Sequence, residues 1–121
     1  MSTAQELYNA KKKNSVSEAL ELIRSGDVIF SGLGASEPSE LLGQVHTVAE
    51  RGVKGCDVTS CLPVGNYDYI LKPGLEESIT SGGWFFNGAQ RKAQKAGMPN
   101  ISHIPQRLHT AVLRRMHAVR E

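Results

Sequence analysis

Two short segments place glycine, small residues and an acid or amide between an apolar run and an amphipathic one: Ser31-Gly32-Leu33-Gly34-Ala35-Ser36-Glu37-Pro38 and Phe85-Phe86-Asn87-Gly88-Ala89. Each reads as a turn leading from a strand into a helix. Such turns present unpaired backbone N–H groups and the positive end of a helix dipole. That combination can hold a phosphate, a carboxylate or a developing oxyanion. In an open parallel sheet, ligands lie beyond the carboxyl ends of the strands, which is where both turns would fall.

The first turn is not a dinucleotide fingerprint. Gly32 and Gly34 supply the first two glycines of G-x-G-x-x-G, but Glu37 stands at the third, where the helix would have to approach closely. No Gly-Lys-Ser/Thr follows, so a Walker-type phosphate loop is absent. Taken alone, the glycine pair also fits a plain strand-to-helix turn. Glu37 and Glu40 are the carboxylates near the turns, and first-turn acids commonly serve the helix dipole. His46, His103, His109 and His117 lack metal-ligand spacing, and no metal is expected. No G-x-S-x-G elbow offers a serine nucleophile. Cys56 and Cys61 stand at an odd offset along an expected strand, which puts the thiols on opposite faces and leaves them as reduced cysteines.

The elements that would position these turns follow from periodicity. Ser15-Val16-Ser17-Glu18 has the spacing of a capping box, and Val16, Ala19, Leu20 and Ile23 form one helical stripe that Gly26 ends. Asp27 to Gly34 reads as a buried strand entering a tight loop. A second helix is expected near Pro38, with Leu41, Leu42, Val45, Val48 and Ala49 on its apolar face and Gly52 as its stop. Cys56 to Leu62 reads as a strand, and Val64 to Gly74 as a long surface loop carrying Tyr67 and Tyr69. Ser78 to Phe86 is a third strand, Ala89 to Ala96 a helix ended by Gly97, and Asn100 to Ile104 a fourth strand. Pro105 opens a last helix with Leu108, Val112, Met116 and Val119 on one side. The sum is an α/β domain: a mostly parallel sheet of about four strands with flanking helices.

At 121 residues and 13.2 kDa, with 40% hydrophobic and 21% charged residues, the chain has the composition of one globular domain, 1–121. No apolar run approaches the ~20 residues of a membrane span. The N-terminus lacks the pattern of a signal peptide, so a cytoplasmic location is expected. The net charge of +2 hides an asymmetry: Ser78 to Arg120 contains seven Arg or Lys residues and no acid. Such a field could attract an anionic partner. The same residues also fit the wet faces of two helices, with Arg91, Lys92 and Lys95 on one and Arg107, Arg114, Arg115 and Arg120 on the other. Nucleic acid is disfavoured, because Trp84, Phe85 and Phe86 are consecutive rather than interleaved with basic residues.

The order Tyr8, Lys11 to Lys13, Ser15-Val16-Ser17-Glu18-Ala19, Ser25-Gly26-Asp27, Gly32, Glu37-Pro38, a Phe-rich strand end, Arg91-Lys92-Ala93, Gly97 and Ile104-Pro105 resembles the N-terminal part of the acetyl-CoA hydrolase/transferase family. That family includes 4-hydroxybutyrate and butyryl-CoA:acetate CoA-transferases. The resemblance spans most of residues 5–110 and fades past Leu108. It implies a protein several times longer, with two similar α/β domains and the active site between them. It further implies acyl-CoA and short-chain carboxylic acids as substrates, and a glutamate that forms a glutamyl-CoA thioester, which is covalent catalysis.

That glutamate belongs to the second domain, so this chain alone is expected to be inactive and to lack catalytic residues. Gly32, Gly34, Glu37, Asn87 and Gly88 are then the implied substrate-binding residues. Asn87 stands where the family usually has glycine, with Gly88 one place later. Loss of a partner domain would leave apolar surface or an open strand edge, so homo-oligomerisation is expected. The alternative is a non-catalytic module that binds an anion or a partner through the basic 91–120 region.

Overall fold

The segments that follow Asp27, Gly55, Ser78 and Asn100 form four strands: β1 Val28–Phe30, β2 Cys56–Ser60, β3 Ile79–Gly83 and β4 Ile101–His103. The computed structural model describes residues 3–103. The strands make one sheet in the order β1-β2-β3-β4, parallel at every pairing. The chain is therefore an α/β fold, as its periodicity predicts. Ile29 sits beside Val58, Val58 beside Ser81, and Ser81 beside Ile101.

Each connection steps to the next strand in the same direction, and right-handed crossovers that all step one way put their helices on one face. Those crossovers carry α3 Ser39–Gln44, running into a 3₁₀ segment Val45–Arg51, then α4 Asp68–Leu71 and α5 Gly88–Lys95. Helix α2, Val16–Leu20, packs beside α3. Leu20, Leu42, Val45, Val48, Val58, Ile70, Ile79 and Ala93 form the core between helices and sheet. Burying each large aliphatic side chain is worth ~1.5–3 kcal/mol. At Gly52 the chain turns with φ 74, a left-handed conformation that ends the 3₁₀ segment and is cheap for glycine.

Alternation puts Val28, Phe30, Asp57, Thr59 and Thr80 on the opposite face. Phe30 and Trp84 meet there with ring centroids 5.5 Å apart. Since β1 and β3 are not neighbours, this pair bridges β2, which accounts for Thr59 being only 2% exposed on that face.

The structure departs from the periodicity in four places. Ala4–Lys11 forms a helix, α1, with a complete capping box between Thr3 and Glu6, yet it buries none of its residues. Helix α2 stops at Leu20 instead of continuing to Ile23. The Arg24 N–H donates to Asp27 Oδ2 at 2.8 Å, and Arg51 Nη2 donates to the Leu20 carbonyl at 2.7 Å, so the bond that would extend the helix is replaced at both ends. The segment 64–74 is not a surface loop: it contains α4, in which Tyr69 and Ile70 are buried. Finally, the chain after β1 makes a 3₁₀ turn, Gly34–Ser36, before α3 begins at Ser39, so β1 does not enter its helix directly. The helix expected from Pro105 lies outside the described residues. Among those described, no helix is long and apolar enough to cross a membrane.

Candidate functional site

Three chain segments leave the carboxyl edge of the sheet side by side: 31–38 after β1, 61–67 after β2 and 84–87 after β3. Ladder bonds extend past the strand ends and hold them in register. Ser31 N–H donates to the Thr59 carbonyl at 3.1 Å, Trp84 N–H to Ser60 at 3.3 Å and Phe85 N–H to Cys61 at 2.9 Å.

Glu37 then reaches from the first segment to the second. Its carboxylate accepts hydrogen bonds from Val64 N–H at 2.9 Å, from Gly65 N–H at 3.3 Å and from the Tyr67 hydroxyl. Asn87 reaches to the same segment from the third. Its Nδ2 donates to the Pro63 and Gly65 carbonyls, each at 3.0 Å. Gly65 is thus clamped on both sides, its N–H by Glu37 and its C=O by Asn87. A side chain at Gly65 would place Cβ 2.5 Å from the Tyr67 ring, so close approach requires glycine there.

Asn87 is fixed from its other side as well. Its Oδ1 accepts from Gln90 N–H at 2.9 Å, and Gln90 Oε1 accepts from Asn87 N–H at 3.3 Å, which is the reciprocal cap of α5. Gln90 is fully buried and donates to Ser81 Oγ at 3.4 Å, so its amide is hydrogen-bonded inside the core. Tyr67 stacks on Tyr69 with ring centroids 5.7 Å apart. Burial, with the Glu37 hydrogen bond and charge behind it, pushes the Tyr67 phenol up to about 12. Burial likewise raises Tyr69, with the Glu37 charge as the second cause.

The five residues singled out in the sequence all lie on this rim, in different roles. Glu37 and Asn87 meet through Gly65, and both Glu37 oxygens already accept hydrogen bonds, so this carboxylate fixes the rim's shape. Gly32 is half-buried, and a Cβ there would fall 2.5 Å from the Ser36 carbonyl oxygen. Gly34, at φ 59, and Gly88 are exposed with open space where a Cβ would stand. Gly88 opens the N-terminal turn of α5, whose leading N–H groups have no partner within the helix. Periodicity does not reveal the parts played by Gly65, Tyr67 and Gln90. The Asn87-x-x-Gln90 spacing carries the signal for Gln90, whereas nothing local marks Tyr67 as the partner of Glu37.

Away from the rim, Arg91, Lys92 and Lys95 are exposed on α5 while Ala89 and Ala93 are buried, which is the arrangement of a solvated helix face. Arg107, Arg114, Arg115 and Arg120 lie outside the described residues. Cys56 is buried, Cys61 is half-buried beyond the end of β2, and both are free thiols.

No family model matches the chain, and no curated protein matches it. Solved structures do. The crystal structure of RipA from Yersinia pestis superposes with a TM-score of 0.67 at 24% identity, covering 88% of this chain and 26% of that one. Two single-substitution variants of RipA give TM-scores of 0.69 and 0.68 at 24% identity, covering 88% and 84% of this chain. The chain spans about a quarter of the length of these structures. At this identity the likeness establishes one thing, that the chain shares its α/β fold with the corresponding part of RipA.

Proposed function

We propose that this chain is the N-terminal α/β portion of a CoA-transferase or acyl-CoA hydrolase, and that its carboxyl-edge rim forms one wall of the pocket for a short-chain acyl thioester. The observation that carries this reading is the clamped rim itself. Glu37, Gly65 and Asn87 join the ends of three successive strands into one rigid edge at the position where parallel sheets bind ligands. The ordered residue match from Tyr8 to Pro105 supports the same reading, and so does the fold shared with part of a much longer protein.

In this account the rim's backbone N–H groups near Gly32 and Gly88 orient the acyl carbonyl and the acceptor carboxylate. The nucleophilic glutamate comes from other polypeptide. Its carboxylate would attack the acyl-CoA carbonyl and expel CoA as thiolate, giving an acyl-glutamyl anhydride. The thiolate would then attack the glutamyl carbonyl and release the donor acid, leaving a glutamyl-CoA thioester that an acceptor carboxylate opens by the reverse sequence or water hydrolyses to glutamate and CoA. The chain itself supplies shape and hydrogen-bond donors.

The experiment combines the chain with a polypeptide that provides the second domain, and follows transfer of CoA from butyryl-CoA to acetate. Transfer or hydrolysis by the combination, with none by either part alone, is the expected result. A correctly folded combination that neither transfers nor hydrolyses contradicts the reading.

A further inference from the structure

Helix α1 carries an apolar stripe with nothing packed against it. Ala4, Leu7, Tyr8 and Lys11 recur at i, i+3, i+4 and i+7, so they share one face. Leu7 and Tyr8 are 52% and 59% exposed, and the helix buries none of its residues. Lys11, Lys12 and Lys13 follow the stripe, and none has an ion-pair partner among the described residues. A helix of eight residues is marginal in water on its own, so a surface that takes the stripe would stabilise it.

The same chain offers such a surface. An open groove of about 630 Å³ between α2 and α3 has Val16, Ala19, Pro38 and Leu41 as its apolar part, Glu37 and Glu40 as its carboxylates and Lys13 at its lip. One lysine against two carboxylates leaves the groove negative. Glu37 is already held by the rim and adds charge alone, whereas Glu40 is exposed and has no hydrogen-bond or ion-pair partner among the described residues. An apolar stripe followed by cations thus matches an apolar groove edged by carboxylates.

Backbone geometry keeps the two apart within one copy. Helix α1 ends at Lys12 with φ -62 and ψ 132, and α2 begins at Ser15 with φ -141 and ψ 160. Both conformations are extended, so the short linker leads α1 away from the groove at whose lip it starts, and no residue of α1 lines that groove. A two-fold pairing resolves this, because each copy then brings its helix to the groove of the other.

We propose that the chain pairs with a second copy of itself by exchanging α1, with Leu7 and Tyr8 of each copy seated on Ala19, Pro38 and Leu41 of the other and Lys11 and Lys12 facing Glu40. The exchange requires no acyl thioester. Because Glu37 also serves the rim, it is left unchanged in the test.

Sedimentation equilibrium on the full 121-residue chain at pH 7 provides that test. The parent is expected to dimerise with a Kd on the order of 100 μM, as suits a small interface. Leu7→Asp should weaken the dimer at least about ten-fold by placing a charge in the apolar contact. Since Leu7 is exposed, amide spectra of that variant should keep the parent's fold. A double variant, Lys11→Glu with Lys12→Glu, and a separate Glu40→Lys variant should each self-associate about five-fold more weakly. Mixed in equal amounts, the two should pair again, because the acidic helix then meets a basic groove and the basic helix an acidic one. A chain that stays monomeric, association that Leu7→Asp leaves intact, as pairing through the edge of β1 would be, or variants that stay apart on mixing overturns the proposal. Capture of the parent by anionic lipid vesicles in place of pairing overturns it too, by giving the stripe to a membrane surface.

Discussion

The Tyr67 hydroxyl donates to the carboxylate of Glu37, thirty residues earlier in the chain, and the two residues belong to turns at the ends of neighbouring strands. Sequence distance alone would not pair them. The parallel register of β1 and β2 does, because it brings the turns that follow them to the same edge. Glu37 also holds Val64 and Gly65 N–H groups, so one carboxylate organises the whole second turn.

Removing that carboxylate should therefore loosen the rim. Glu37→Ala leaves two N–H groups and a phenol without their acceptor, and a loss of ~2 kcal/mol is expected. Glu37→Gln keeps one acceptor oxygen and should cost less. Urea unfolding monitored by tryptophan fluorescence reads both, and a Glu37→Ala variant as stable as the parent would show that the clamp is incidental.

Burial of Tyr67, reinforced by the same contact, makes stability fall at alkaline pH. The Tyr67 phenol is raised to about 12 in the folded protein, whereas in the unfolded chain it ionises near ~10. Between those values the unfolded state binds fewer protons, so stability drops as pH rises. It is fully present below the unfolded value and lost as pH passes through the folded one. Burial raises the Cys56 thiol too, which adds loss in the same direction from lower pH. The urea midpoint should decline through this window, and Tyr67→Phe should make the decline shallower. An equal slope in parent and variant would remove Tyr67 from the explanation.

Glycine is required at one of the two glycine-bearing turns and replaceable at the other. Gly32→Ala drives a Cβ to within 2.5 Å of the Ser36 carbonyl oxygen, a backbone atom that cannot swing aside. A cost of ~1–3 kcal/mol is expected. Gly88→Ala meets open space at the start of α5 and should change stability by less than ~0.5 kcal/mol. Thermal unfolding of the two variants gives the comparison. Equal losses in variants that both keep the parent's circular-dichroism spectrum would contradict this difference in crowding.

Self-association is expected from what the sheet leaves open. Strand β1 lies at one edge of the described sheet, and Phe30, Leu33, Val64 and Phe85 are exposed at 36% or more along its open face and rim. Unpaired edges and apolar patches attract further polypeptide. Light scattering should show mass rising with concentration, and a sharp monomer at high concentration would refute this.

The fold is legible in the sequence wherever pattern and burial coincide. The four strands, and the helix expected over Ala89 to Ala96 and found at Gly88–Lys95, follow from short segments between turn residues, from the Asn87-Gly88 turn and from Gly97 as the stop. The segment 64–74 reads as a loop because its glycines and prolines mark turns, whereas the burial of Tyr69 and Ile70 depends on packing against α5 and β3. Helix α1 is invisible to periodicity because its face is polar and its stability comes from a local cap. The two turns are visible as glycine-bearing corners, but the clamp between them depends on tertiary register, and no local spacing encodes that.

The most direct test of the account is amide chemical-shift mapping of the ¹⁵N-labelled chain during titration with butyryl-CoA. A rim that lines the thioester pocket predicts saturable shifts at Gly32, Gly34, Gly65 and Gly88. Shifts confined to Arg91, Lys92 and Lys95 on α5, or no shifts at all, would contradict it.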